Sequence, residues 1–460
     1  MSKSYEKMMS RKNEIMKKSV KIDYDKYENK GIGFNYESMM KDQNFSLDKI
    51  INIQSENMIG KTPLIELKNI TKYARKFSEP GKGARIFLKD EVANLSGSFK
   101  ARRAALSVYQ AKKLGYKGVI AATSGNYGAA VAALAARNGL KCIIVQEMFD
   151  SKNRSQPEII EKARKCEAFG AEVIQLSVGP ELFYQFLKLL DETGYFNASL
   201  YSPYGIMGIE TLGNEIAKEI FQLTNKYPEA VVITNAGGGN LTGTARGLKN
   251  AGATNTKIIA ASVDLYGLHM ASDNDFNKKS FTTGHTGFGI PFCTFPDRSD
   301  VPRSAARPLR YMDSYILVNQ GSVFFMTETL AMLEGMERGP AGNISLAAAF
   351  SLAQTMNKDE IIVVQETEYT GAGKHINPQI TFARKNGIDI LVGNPQDEVP
   401  GENIIFPASG KLLKHKEIKM DKLRKSYLKR FVDIKLTDID FEFLSEELNI
   451  SINKIKSLIT

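Results

Sequence analysis

Lys100 stands where a Ser/Gly turn, Asn94-Leu-Ser-Gly97-Ser98-Phe99-Lys100-Ala-Arg102-Arg103, runs into an Ala-rich helical pattern. The positive end of a helix disfavours an ammonium, and a lysine of lowered pKa is what Schiff-base chemistry requires. A solvated first-turn lysine has the same local sequence. A second candidate is Asn235-Ala-Gly237-Gly238-Gly239-Asn240-Leu-Thr242-Gly243, between a β-branched run and a helical pattern. Its glycines let backbone N–H groups converge beside a helix N-terminus, which makes an anion cradle; a tight turn without a ligand is the bland alternative. A third strand-to-helix junction, Ala121-Ala-Thr123-Ser124-Gly125-Asn126-Tyr127-Gly128, offers N–H groups and hydroxyls to a carboxylate and an amide to a ring hydroxyl. Ser124 or Asn126 would also serve as a plain helix cap.

Several chemistries are excluded by spacing. A dinucleotide fingerprint starting at Gly237 meets Thr242 where its third glycine belongs, although Asp264 sits about where a ribose-binding acid would. Gly60-Lys61-Thr62 has Ser55 at the upstream glycine position of a P-loop and Pro63 directly after it. Cys142, Cys166 and Cys293 fit neither a disulfide framework nor a zinc pattern. With no apolar leader at the N-terminus, a reducing cytoplasm is the expected compartment. The longest alanine-rich stretch is far short of the roughly 20 residues of a membrane span. Sixty-one Lys/Arg against 51 Asp/Glu give +10, a balance that invites a nucleic-acid or lipid reading. The excess sits at the ends, however: residues 1–30 carry nine basic against five acidic side chains, and residues 411–460 carry twelve against eight.

Elements that could hold the three junctions alternate along the chain. Buried strands are expected at Val119–Ala122, Cys142–Val145, Val173–Leu176, Val231–Thr234, Ile258–Val263 and Ile361–Gln365. Helices are expected at Arg102–Leu114, Gly128–Asn138, Pro157–Phe169, Gly208–Thr224 and Ser345–Met356. This order over more than 300 residues predicts an α/β fold with parallel sheets. Residues 265–345 read as largely irregular, rich in Gly, Pro and Phe, and fit an active-site wall.

Ile59-Gly-Lys-Thr62-Pro63-Leu64, Gly97-Ser-Phe-Lys100, Thr123-Ser-Gly-Asn126 and Gly237–Gly239 occur together in one order. They resemble the pyridoxal-phosphate enzymes of fold type II, the tryptophan synthase β-subunit group, over about residues 56–390. The resemblance implies two parallel-sheet α/β domains with the active site in the cleft between them. It implies an N-terminal extension over 1–55, a discontinuous large cofactor-binding domain over 56–100 and 230–400, a small domain over 101–229 and a C-terminal helical extension over 401–460. Lys100 would then be the Schiff-base lysine and the shuttle of the α-proton, and Asn126 the partner of the cofactor's ring oxygen. Gly237, Gly238, Gly239 and Asn240 would cradle the phosphate, while Ser124, Gly125, Tyr127 and Gly128 hold the substrate carboxylate. The family usually has Thr at the Tyr127 position. Thr367 or Thr370 would face the pyridine nitrogen. A neutral hydroxyl there favours chemistry at Cβ and beyond over transamination.

The long N-terminal extension and the Asn235–Asn240 and Glu366–Lys374 signatures resemble a group member acting in ornithine catabolism. It implies an acyltransferase that cleaves 2-amino-4-oxopentanoate with coenzyme A as co-substrate, giving acetyl-CoA and alanine. This chain would be the catalytic β-subunit, a homodimer joined to a small α-subunit in a hetero-oligomer. A β-elimination or β-replacement enzyme, such as threonine synthase or diaminopropionate ammonia-lyase, is the alternative within enzymes. A nucleic-acid or membrane-surface protein on a retired enzyme fold is the alternative outside them. Cys293, in Pro291-Phe-Cys293-Thr-Phe, is the local candidate for a reacting thiol, and His285 for an acid or base; buried cysteine and capping histidine are the ordinary roles of such residues. The basic tails would meet a partner subunit or the phosphates of coenzyme A.

Overall fold

Runs such as Ala230-Val-Val-Ile-Thr234 are apolar without alternation, the pattern of strands covered on both faces. The computed structural model, which describes residues 3–123, 125–150, 152–267, 279–284, 293–297, 300–369 and 376–459, places them at the centre of two sheets. The chain forms β1 (Leu64–Glu66) and β2 (Arg85–Asp90), then β3 (Gly118–Thr123), β4 (Lys141–Phe149), β5 (Glu172–Ser177) and β6 (Phe196–Asn197). It continues through β7 (Ala230–Thr234), β8 (Lys257–Val263), β9 (Ser314–Val318) and β10 (Ile361–Glu366) to β11 (Asp389–Gly393), β12 (Asn403–Pro407) and β13 (Lys416–Ile418). The larger sheet has the order β1-β2-β10-β7-β8-β9-β13, parallel inside and closed at each edge by an antiparallel strand. The smaller, β5-β4-β3-β6, is parallel throughout. Strands β11 and β12 form a separate parallel pair. This is the expected α/β fold with two parallel-rich sheets.

Three helices hold the two sheets together. The 22-residue helix Pro203–Thr224 lies between Lys100–Lys113 and Gly239–Asn250. Its glycines let the backbones touch. An added Cβ would lie 2.1 Å from the Arg102 carbonyl oxygen at Gly208 and 2.1 Å from that of Thr244 at Gly213. The helix carrying Lys100 and the helix opened by the glycine loop are therefore braced on one rod.

Two expectations need correction. Residues 265–345 are not irregular throughout, since they contain β9 and the helix Gln320–Glu334. That helix is buried over most of its circumference, so it shows no apolar stripe to read. The segment 401–460 is not purely helical either. It supplies β12 and β13, and β13 pairs with β9 at the edge of the larger sheet. Residues 1–55 fold onto the body: Tyr24, Phe34, Tyr36 and Met39 are core residues, and the Gln54 amide donates to the carbonyls of Arg102 and Gly208 at 3.1 and 2.7 Å. Among the described residues no helix is long and apolar enough to cross a membrane, and no cluster of His, Cys, Asp and Glu could hold a metal.

Candidate active site

The turn before Lys100 is fixed by strand-like pairing. Ser98 bridges Glu368, the Phe99 N–H donates to the Thr367 carbonyl at 3.0 Å, and the Tyr369 N–H donates to the Gly97 carbonyl at 2.9 Å. Helix Lys100–Lys113 thus starts at the C-terminal end of β10, where ligands of parallel sheets bind. Lys100 is partly buried, its Nζ 4.0 Å from the Phe99 ring centroid. Burial lowers its pKa to about 8 against the opposing pull of Glu368, and the charges of Arg103 and Lys162 add to the lowering. About one tenth of the amine is then neutral at pH 7, far more than for an ordinary lysine, as a nucleophilic amine requires.

Lys100 opens into a cavity of about 630 Å³ between the two sheets. Thr123, Gly125, Asn126 and Tyr127 form one wall, and Gly237, Gly238, Gly239 and Asn240 another. Asn126 begins the helix Asn126–Asn138, and both polar atoms of its buried amide lack a partner among the described residues. An unpaired buried amide is costly, so this group is aimed at something the protein itself does not supply. Gly238 has φ +78° and caps the helix Gly239–Asn250. Side chains would not fit here: a Cβ on Gly237 would lie 2.2 Å from the Tyr201 hydroxyl, and one on Gly239 2.4 Å from Arg103 Nη2. The Asn240 side chain is occupied, donating to Gln365 Oε1 at 2.7 Å, so its first-turn N–H is what faces an anion.

The structure separates the remaining expected residues. Thr367 lines the cavity. Tyr127 lines it with its ring while its hydroxyl donates to the Ala198 carbonyl at 2.8 Å. Gly128 is absent from the described lining; a Cβ there would lie 2.7 Å from Thr123 Cγ2 and 2.9 Å from Ile144 Cγ2, which makes it a helix–sheet contact. Cys293 is also absent from that lining. It is buried, accepts from the Asn235 amide at 3.2 Å, and burial pushes its thiol up to about 12. Ser124, His285 and Thr370 lie outside the described residues.

Spacing did not reveal the charged groups around the cavity. Arg103 lies buried against the glycine loop, its Nε without a partner and without a carboxylate counterion among the described residues. Its guanidinium also donates to the Leu200 carbonyl. Lys162 Nζ sits 2.6 Å from Glu158 Oε1 and 3.5 Å from Glu368 Oε1. Burial pushes the Glu158 carboxyl up to about 7, with Glu368 adding to the rise and Lys162 opposing it. The one sequence signal for Arg103 was its position one helical turn after Lys100.

These residues fit pyridoxal phosphate. Lys100 would hold the aldehyde carbon, Asn126 the ring oxygen, and the N–H groups of Gly237–Asn240 with Arg103 the phosphate; Thr367 is the described hydroxyl available to the ring nitrogen.

The family model described as "Pyridoxal-phosphate dependent enzyme" matches residues 56–368. A 2-amino-4-ketopentanoate thiolase beta subunit from Acetoanaerobium sticklandii is 65% identical over 460 residues, covering 99% of this chain and 98% of the relative. A protein of the same description from an unidentified prokaryote is 58% identical with the same coverage. A cysteine synthase from Entamoeba histolytica shares the fold at 23% identity and TM-score 0.54, covering 71% of this chain and 89% of its own. A pyridoxal 5'-phosphate-dependent aspartate racemase shares it at 18% identity and TM-score 0.55, covering 71% and 95%. On the extent of these matches, and with a site that fits the cofactor, the chain belongs to the family of pyridoxal-phosphate dependent enzymes.

Proposed function

We infer that this chain is the catalytic subunit of an acyltransferase that cleaves 2-amino-4-oxopentanoate with coenzyme A. The observation that carries the reading is full-length identity of 65% to a thiolase β-subunit, joined to a cavity that holds a partly buried, low-pKa lysine. In the reaction the thiol sulfur bonds to C4 and the C3–C4 bond breaks. The thiol proton is accounted for at C3, which becomes the methyl group of alanine; the acyl group leaves as acetyl-CoA, with no net oxidation. Bound pyridoxal phosphate supplies an electron sink joined to the amino-bearing carbon.

The protein's part is to bind, orient and move protons. The amine of Lys100 would be the base for the α-carbon, and its lowered pKa suits it to accept and return a proton near neutral pH. Gly125 and the ring of Tyr127, on the wall next to Asn126, bound the place for the substrate carboxylate. Lys162 approaches that wall, its Cδ 2.3 Å from where a Gly125 Cβ would stand, and adds positive charge. Thr367 would offer the ring nitrogen a neutral hydroxyl, which would leave that nitrogen unprotonated.

A small α-subunit, a homodimer of this chain within the hetero-oligomer, and a reducing cytoplasm suited to three free cysteines complete the reading. A threonine synthase from Halalkalibacterium halodurans is 31% identical over 41% of this chain and 49% of its own, a much shorter match than that to the thiolase β-subunit. The test is to incubate the protein, alone and with its companion subunit, with 2-amino-4-oxopentanoate and coenzyme A. Acetyl-CoA and alanine in equal amounts are expected; their absence under both conditions would overturn the assignment.

A further inference from the structure

The cavity does not end at the cofactor site. It runs on between Tyr5 and Met9 of the N-terminal helix Lys3–Ser10, with Lys12, and the facing residues Leu182 and Phe183 of helix Glu181–Thr193. These walls are built rather than loosely apposed. Tyr5 stacks on Tyr184 with ring centroids 5.6 Å apart, Lys12 Nζ lies 5.6 Å from the Phe183 ring centroid, and Met9 and Leu182 pack against one apolar cluster. A five-carbon amino acid bound to the cofactor has no need of a wall from the first dozen residues.

The thiol has to come from somewhere. Cys142, Cys166 and Cys293 are all buried, none is among the described lining residues, and burial pushes the thiols of Cys166 and Cys293 up to about 12 and that of Cys142 higher. Thiolate is the reactive form of a cysteine, so these three are poor acceptors. We propose that the arm between the N-terminal helix and Phe183 seats the pantetheine chain of coenzyme A, with its thiol toward Lys100 and its phosphates outside at the basic N-terminal helices. The assignment rests on the thiolytic reading above.

The chemistry of the arm matches that occupant. Met9, Leu182 and Phe183 suit a thin, uncharged chain. Glu147, also lining the cavity, is pushed up to about 7 by burial, so in its protonated form it can donate to an amide carbonyl of the chain. Lys12 lines the cavity, while Lys3 and Lys7 are exposed outside the described lining, four residues apart on one face of the helix. Residues 3–12 carry four basic side chains against one acidic one; Arg11 is paired with Asp191 at 2.8 Å, which leaves Lys3, Lys7 and Lys12 as the charges offered to a diphosphate. The N-terminal extension thereby acquires a role in the site.

The test uses the enzyme with its companion subunit and bound cofactor. Met9→Trp and Leu182→Trp should each raise the KM for coenzyme A by about tenfold or more, with the visible absorbance of the bound cofactor retained and the KM for the amino acid changed by less than about twofold. Lys3→Glu combined with Lys7→Glu, on the exposed surface where folding is not at stake, should raise the same KM by a smaller factor that shrinks as salt is added. A coenzyme A KM unchanged in all three variants, while the wild type forms acetyl-CoA, would overturn the assignment and leave the thiolytic reading standing. A wild-type enzyme that forms no acetyl-CoA would overturn the thiolytic reading, and the assignment with it.

Discussion

The Phe99 N–H donates to the Thr367 carbonyl oxygen at 3.0 Å, which locks the turn carrying Lys100 to the end of the central strand β10. With the Ser98–Glu368 bridge and the Tyr369–Gly97 bond, this pairing puts the amine, the Thr367 hydroxyl and the Glu368 carboxylate at one end of the cavity. Lys100 gets its local charge environment from backbone pairing that sequence distance alone would not suggest.

That environment has a pH signature. Only a neutral amine attacks an aldehyde, and Lys100 titrates at about 8. The rate at which apoenzyme takes up pyridoxal phosphate should therefore rise with pH, with a midpoint near 8, and level off above it. Glu368 holds the ammonium form and so raises the pKa; Glu368→Gln should move the midpoint to lower pH. Stopped-flow measurement of the visible band from about pH 6.5 to 9.5 checks both. A midpoint near the ordinary lysine value would contradict the burial argument.

Two glycines of similar backbone geometry separate strain from function. Gly238 (φ +78°) sits in the loop, where a Cβ would lie 2.5 Å from Pro308 Cγ; Gly139 (φ +71°) ends the helix Asn126–Asn138 with nothing within 4 Å of an added Cβ. Gly139→Ala should cost ~1–2 kcal/mol of stability and leave cofactor affinity unchanged. Gly238→Ala should in addition weaken pyridoxal phosphate binding by about tenfold or more. Equilibrium dialysis and chemical unfolding of both variants decide this. Equal cofactor affinity in the two would remove the loop from the phosphate site.

Arg103 lies buried beside the loop, with its Nε unpartnered among the described residues. A charge-assisted hydrogen bond is worth roughly 1.5–3 kcal/mol, so Arg103→Met should raise the dissociation constant for pyridoxal phosphate by at least about tenfold. Binding of pyridoxal, which lacks the phosphate, should change little. If both ligands lose affinity in parallel, Arg103 supports the fold rather than the phosphate.

Below the site, Arg102 is wholly buried and pairs with Glu91 at 2.7 Å and Glu215 at 2.8 Å. Arg102→Met leaves the buried Glu91 carboxylate without that partner and should cost ~3–5 kcal/mol, read as a lower urea midpoint. Burial pushes the Glu215 carboxyl up, but Arg102 and Lys89 override it and hold it at about 2. A depressed carboxyl stabilises the fold fully above its unfolded pKa, about 4.3, and that contribution is lost as pH falls toward 2. The acid limb of wild-type stability should flatten in the variant.

What was legible in the sequence and what was not divide along physical lines. The strands around Val119, Val231 and Ile361 and the Ala-rich helix after Asn126 were readable because composition alone separates a doubly covered strand from a helix. The glycine loop was readable because three glycines in a row at a strand end have few other uses. β2 was missed: its Lys89 looks like a surface residue, yet it is fully buried because Glu215 and Glu219 reach it from the helix Pro203–Thr224. The helix Gln320–Glu334 was missed for want of a polar face. Tyr201, Lys162 and Glu368 approach the site only through tertiary folding; of the two expected threonines Thr367 lines the cavity, and Thr370 lies outside the described residues. The basic C-terminal stretch is partly neutralised within the chain, with Lys416 on Asp264 and Arg430 on Asp297. In the N-terminal basic segment Arg11 pairs with Asp191 and Lys17 with Asp25, while Lys12 lines the cavity.

Lys100 is the one residue on which the chemistry of this cavity depends. Borohydride reduction of the enzyme with its bound pyridoxal phosphate, followed by peptide mass spectrometry, should place the reduced cofactor on the peptide containing Lys100. Lys100→Ala should abolish both the label and the visible band while the protein still folds. Label on another lysine, or a visible band that survives in Lys100→Ala, would contradict the assignment of this cavity as the active site.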